Sequence, residues 1–209
     1  MSRLDDYNYD TVEAIFKSLN TITEMLESRG FTTESVPKFS PVEIRAALNS
    51  ALTTLNFQVP KSDNTEYTAD VHFQNLTRTS GFDNIQTDLE ENGKNRELIY
   101  IMTEQIQPWH HQIVRKVWAQ SKVLVSIFCC FYISTNPTKH ILVPKHEIVP
   151  KDTTNQILKD LYAKKSQLPI IVYHEDVQAR YLGLRPGEIV KITRPSPSAG
   201  FYTVYRVCV

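Results

Sequence analysis

The sequence predicts two folds in tandem: an α/β domain over residues 1–137 and a small α+β domain with a β-hairpin over 138–209. Three observations carry this reading. Residues 98–102 and 123–133 are apolar runs of strand length, and between them Pro108 opens a stretch whose Ile113, Val114, Val117 and Trp118 share one helical face. Strand, helix and strand with short connectors imply a right-handed crossover between parallel strands. Near the other end, 188–194 and 201–207 alternate apolar and polar residues, the two-residue period of a hairpin. The charge also changes sign: residues 1–138 hold 12 Lys/Arg against 17 Asp/Glu (−5), and 139–209 hold 11 against 6 (+5).

The elements follow in order. A first helix spans about 11–29, with Val12, Ile15, Phe16, Leu19, Ile22 and Leu26 in one stripe and Gly30 as its stop. Ser40-Pro41-Val42-Glu43 is a capping box with proline at the first helical position, and Ile44, Leu48, Leu52 and Leu55 continue that second helix. Strands are expected near 57–59 and 67–76. Residues 77–96 are rich in turn formers and read as loop with one short strand. These pieces make the first domain a mixed sheet with helices packed on it. Asn136-Pro137 is the domain boundary.

Beyond it, 140–143 reads as a short strand, and Asp152 as the cap of a helix turning Ile157, Leu158, Leu161 and Tyr162 inward. Residues 168–173 form another strand. Asp176 caps a short helix, Gly183 ends it in a left-handed residue, and Leu184 supplies the apolar contact that accompanies such an ending. Pro186-Gly187 fits the centre of a type II turn. Residues 194–200, with two prolines, read as a stiff loop of the hairpin.

Composition excludes several classes. Three cysteines, two of them adjacent, make no disulfide framework and point to a reducing, intracellular setting. Cys129 and Cys130 read as buried, unreacted thiols. The 123–133 run is about half the length that crosses a bilayer as a helix, and the polar opening Met1-Ser2-Arg3-Leu4-Asp5-Asp6 lacks the apolar core of a signal peptide. No membrane association is expected. A neutral chain is also less basic than a free DNA-binding domain.

The segment 140–207 closely resembles a known family. Leu168-Pro169, Asp176-Val177-Gln178-Ala179-Arg180-Tyr181, Gly183, Gly187, Val190-Lys191-Ile192, Arg194-Pro195-Ser196, Ala199-Gly200, Tyr202 and Tyr205-Arg206 follow, in order and spacing, the C-terminal end of the fifth subunit of multisubunit RNA polymerases. That subunit is shared by the eukaryotic nuclear enzymes and has a shorter homologue in the archaeal polymerase. The first domain is similar in scattered places: Arg29-Gly30-Phe31, Arg96-Glu97-Leu98-Ile99 and Gln107-Pro108. The archaeal homologue lacks that domain, so its presence implies a eukaryotic or eukaryote-like viral enzyme. Two departures stand out. Val177 replaces the family's proline and Pro197 an acidic residue, which favours a homologue encoded by a large DNA virus.

The resemblance implies a non-catalytic polymerase subunit and a hetero-oligomer with the largest and other subunits. The C-terminal domain would be the assembly module, with partner-binding residues Arg180, Tyr181, Gly183, Arg194, Pro195, Ser196, Gly200, Tyr202, Tyr205 and Arg206. Arginine beside tyrosine is a composition typical of interface anchors. The first domain would be a jaw element with an endonuclease-like fold. Its Pro108, Trp109, Arg115 and Lys116 would face downstream duplex DNA, weakly and without reading sequence, with Arg96 and Lys122 near in sequence. A viral member would reside in the virion and host cytoplasm, a cellular one in the nucleus.

Chemistry of the chain's own is not expected. An endonuclease needs an acidic residue followed by Glu-x-Lys or Asp-x-Lys on a strand. Asp70 could be the first, but no Asp or Glu in 71–133 precedes Lys by two, and Glu91 to Lys94 is one residue too long. Asp70 therefore reads as a solvated or capping residue. Adjacent His110 and His111 diverge by about 100° on a helix, and His140 and His146 have no cysteine near, so no metal is expected. Six scattered glycines form no phosphate loop, so no cofactor is expected either. A stand-alone interaction adaptor with the same fold is the competing reading.

Overall fold

The computed structural model describes residues 3–209; Met1 and Ser2, which open the polar start noted above, lie outside the described residues. The chain divides into two compact units, Met1–Thr135 and Asn136–Val209.

The first unit opens with α1 (Arg3–Ser28) and α2 (Pro41–Asn49). Helix α1 buries Val12, Ile15, Leu19, Ile22 and Leu26, but Phe16 stands 42% exposed, outside the stripe assigned to it. Gly30 closes α1 at φ +81, donating its N–H to the Glu27 carbonyl while Phe31 donates to Leu26. The capping box at Ser40 forms as expected, with the Ser40 N–H donating to the Glu43 carboxylate at 2.7 Å. Helix α2 then stops at Asn49, and Leu52–Leu55 continue as a 3₁₀ turn.

The sheet has the order β1 (Phe57–Pro60), β2 (Thr68–Phe73), β3 (Arg96–Met102), β4 (Val125–Cys129). Strand β1 is antiparallel to β2, while β2, β3 and β4 run parallel, with Leu98 opposite Val125. All seven residues of central β3 are buried, the mark of a strand covered on both faces. Residues 81–92, read as loop, form helix α3 (Gly81–Asn92) instead. Phe82, Ile85 and Leu89 recur at i, i+3 and i+7, and burial of Ile85 and Leu89 outweighs the turn-forming Asp and Asn residues among them. Helix α4 (Pro108–Ser121) makes the crossover from β3 to β4. Cys129 and Cys130 are buried free thiols; the neighbouring sulfur and burial push the Cys130 thiol up.

The second unit carries a four-stranded sheet of order β5 (Lys145–Ile148), β7 (Ile189–Ser196), β8 (Gly200–Cys208), β6 (Ile170–Ile171). The strand expected at 140–143 lies five residues later, at β5. Ile141 and Leu142 project into solvent because 140–143 is a turn, closed by the Val143 N–H on the His140 carbonyl. Helix α5 (Lys151–Asp160) starts behind Pro150, not on an Asp152 cap, and turns Ile157 and Leu158 onto Val149, Leu168, Ile189 and Val207. Leu161 and Tyr162 point away from that core, contrary to the helical stripe, because the helix ends at Asp160. The strand expected at 168–173 shortens to the two residues of β6, while the expectations for the cap, helix ending and turn that follow hold. Asp176 caps α6 (Val177–Leu182) through the Gln178 and Ala179 N–H groups, Gly183 sits at φ +68, and Gly187 at φ +94 closes its turn with Glu188 donating to Arg185.

Candidate docking ribbon and basic helix

The β7–β8 hairpin outruns its sheet. Strand β5 reaches β7 only as far as Thr193, and β6 meets β8 only at Val207 and Cys208. Beyond the Thr193–Thr203 pair the hairpin continues as two strands alone, pairing Arg194 with Tyr202, Pro195 with Phe201 and Ser196 with Gly200. The expected loop at 194–200 is thus mostly strand, and the turn itself is only 197–199. Gly200 sits at φ +73, where a side chain would be strained, and the Ala199 N–H donates to Ser196 Oγ at 3.3 Å.

Alternation along the ribbon sorts its side chains. Arg194 and Tyr202 share one face, and Pro195 and Phe201 the other. Phe201 is 73% and Tyr202 59% exposed, with Arg194 and Pro195 also exposed. A two-stranded ribbon is marginal on its own in water. This one displays two aromatics and a guanidinium where burial would stabilise it.

Other residues expected at the partner surface lie outside the ribbon. Arg180 is only 8% exposed and donates to the Glu175 carbonyl at 3.4 Å; burial lowers its pKa. Tyr181 is buried, its hydroxyl accepting from Asn136 Nδ2 at 2.9 Å. Gly183 terminates α6. In the free chain these three hold the short helix and its ending in place. Tyr205 lies half-buried against the Val149, Leu168, Ile189, Val207 cluster. Arg206 straps the edge strand, donating to the Ile170 carbonyl at 3.0 Å.

In the first unit, Pro108 stands exposed at the first position of α4, and the Gln107 N–H donates to His110 Nδ1 at 2.8 Å. The Trp109 ring stacks on His110 with centroids 3.6 Å apart. Burial lowers the His110 pKa, so the ring is neutral and able to accept. Trp109 and Lys116, seven residues apart, line one concavity of about 290 Å³ together with Arg78 and Phe82. The Lys116 ammonium lies 5.8 Å from the Phe82 ring centre. Arg115 is exposed but does not line that concavity. Arg78 escaped sequence reasoning because its segment read as loop.

Arg96 and Asp70 are reassigned. Asp70 is 5% exposed, neither solvated nor a cap. Arg96 bonds the Asp70 carboxylate, and its other nitrogen meets Asp88 at 2.7 Å. The guanidinium therefore lies inside the unit and does not face a ligand with α4. Arg29 pairs with Glu97 at 3.0 Å nearby, and Tyr67 donates to the same carboxylate at 3.2 Å. Among the described residues, no three of His, Cys, Asp and Glu converge as metal ligands.

Comparison with known proteins gives a consistent kinship. The family model described as RNA polymerase Rpb5, C-terminal domain, matches residues 135–208. The chain is 28% identical over 204 residues to the DNA-directed RNA polymerases I, II, and III subunit rpabc1 of Dictyostelium discoideum, covering 96% of this chain and 100% of that protein. It is 46% identical over 72 residues to the DNA-directed RNA polymerase subunit Rpo5 of Methanocaldococcus jannaschii, covering 34% of this chain and 91% of that protein. With the RPABC1 subunit of Caenorhabditis elegans it is 41% identical over 88 residues, 42% of this chain and 41% of the relative.

Proposed function

This chain belongs to the Rpb5 family of RNA polymerase subunits, and on that premise we propose that it is a non-catalytic subunit of a multisubunit DNA-directed RNA polymerase, held on the largest subunit by its second unit. One observation carries the docking assignment: a β7–β8 ribbon that leaves its sheet with Arg194, Phe201 and Tyr202 turned to solvent. Aromatics and arginine at the centre of a patch are the usual anchors of an interface. The excess of positive charge in the same unit suits an acidic partner surface. In residues 71–133 no Asp or Glu precedes Lys by two, which supports a unit without nuclease chemistry. Nucleotide addition and its magnesium fall to other subunits.

The first unit serves as a jaw element, with Pro108, Trp109, Arg115 and Lys116, joined by Arg78, toward downstream duplex DNA. The negative balance of that unit limits such contact to a few phosphates. Val177 and Pro197 support a member encoded by a large DNA virus, resident in the virion and host cytoplasm; a cellular member would be nuclear.

Affinity purification of the tagged, full-length chain tests the reading. Co-purification of the largest subunit is the expected result. Arg194→Glu should reduce it strongly, since a glutamate facing an acidic partner surface sets like charges together at a cost of several kcal/mol, roughly a hundredfold in binding. A stable, partner-free monomer in cells that express the polymerase would overturn it.

A further inference from the structure

Helix α5 ends in an arrangement that glycine normally serves. The Ala163 N–H donates to the Leu158 carbonyl at 3.1 Å and the Tyr162 N–H to the Lys159 carbonyl at 3.0 Å, which together make a Schellman ending with Tyr162 at the left-handed position. Its φ is +49. At the equivalent place the same unit uses Gly183 after α6, and the first unit uses Gly30 after α1. A residue with a Cβ is strained there relative to glycine. Burial does not offset that cost, because Tyr162 is 97% exposed.

Tyr162 stands at a shallow groove of about 490 Å³ with Leu158 and Ala163, flanked by Lys159 and Lys164, and Leu161 beside it is also exposed. The next residue, Lys165, reaches the Gly187 turn. Asp160 is the one acidic residue among 158–165, against Lys159, Lys164 and Lys165. Strain kept at an exposed aromatic, beside an apolar floor ringed by ammonium groups, is the arrangement of a recognition site.

We propose that Tyr162 and the Leu158–Ala163 groove form a second docking site, which takes an acidic polypeptide segment bearing an apolar side chain. The apolar side chain would fill the groove beneath the tyrosine ring, and the carboxylates would meet Lys159 and Lys164. The inference rests on the polymerase-subunit reading, which makes the occupant a segment of another subunit. An apolar floor distinguishes this site from one that holds phosphate alone.

The test uses the full chain co-purified with its polymerase. Tyr162→Gly should leave Tm unchanged or raise it, while retention on the enzyme near the half-releasing salt concentration falls about fivefold, as removal of an anchoring tyrosine does. Lys164→Glu should lower retention in the same direction. A photoreactive benzoylphenylalanine in place of Tyr162 should crosslink to a subunit segment with carboxylates within a few residues. A crosslink to nucleic acid, a crosslink to a segment without acidic residues, or full retention of Tyr162→Gly would each overturn the proposal while the polymerase reading stands. Should the unaltered chain fail to co-purify, the reading falls and this inference with it.

Discussion

The two units handle polar and apolar surface in opposite ways. The first buries charge: Arg96 closes on Asp70 and Asp88, and Arg29 on Glu97, beside a sheet whose central strand is wholly covered. The second exposes apolar surface. Of the fourteen exposed large apolar side chains among the described residues, ten follow Asn136, in about a third of the chain. A domain that satisfies its own charges internally is finished by folding. One that leaves Ile141, Leu142, Tyr162, Phe201 and Tyr202 in water is finished by a partner. On the proposed reading, stability and assembly are assigned to different parts of the chain, so substitutions should separate them.

The largest separation is expected at Arg96. Arg96→Met leaves the buried Asp70 carboxylate without its cation and takes away the partner of the partly exposed Asp88, a loss of about 3–5 kcal/mol. Urea melting of the intact chain measures it. A change below about 1 kcal/mol would mean that the ion cluster is not a pillar of that unit. The mirror experiment is Phe201→Ala with Tyr202→Ala. Stability should move by less than about 0.5 kcal/mol, as for exposed residues elsewhere, while binding to polymerase weakens by about 2 kcal/mol or more. Loss of stability without loss of binding would reverse the contrast.

A smaller effect comes from pH. Burial lowers the pKa of His72 and His110, both in the first unit. In the unfolded chain each titrates near 6.5, above its folded value. The stability tied to the neutral rings is therefore full above about pH 6.5 and is lost as pH falls toward the folded values, by at most about 1.4 kcal/mol per pH unit for each ring. Melting between pH 7.5 and 5 should follow this course, and His72→Phe with His110→Gln should flatten it. An unchanged profile in that variant would assign the acid sensitivity elsewhere. The smallest effect is expected from Arg115→Ala with Lys116→Ala. Assembly should be intact, and the salt dependence of DNA retention by the enzyme should decrease by at most about two in slope. The deficit should be largest at low salt, where phosphate contacts count most. Failure of that variant to assemble would place docking on the wrong unit.

Much of this was legible because the signals are local. Asp176, Gly183 and Pro186-Gly187 each act within four residues, and their backbone geometry followed as expected. The strand–helix–strand period of β3, α4 and β4 was equally plain. Nonlocal features were not. Asp70, Asp88 and Arg96 meet only because β2, α3 and β3 are folded together, and nothing in their spacing announces an ion cluster. Helix α3 hid beneath turn-forming residues whose cost is outweighed by burial of Ile85 and Leu89. Arg180 and Tyr205 carry a motif pattern that identifies the family but does not say which side chains face outward. Tyr162 was assigned to the core because helical periodicity assumes that the helix continues, and it stops two residues earlier.

Hydrogen exchange of the chain, free and within purified polymerase, tests the central claim most directly. Amides of 194–203 have neighbours on one side only in the free chain, so assembly should slow their exchange sharply while strands β2 and β3 of the first unit exchange alike in both states. Protection gained only in the first unit, with 194–203 unchanged, would contradict the assignment of docking to the ribbon.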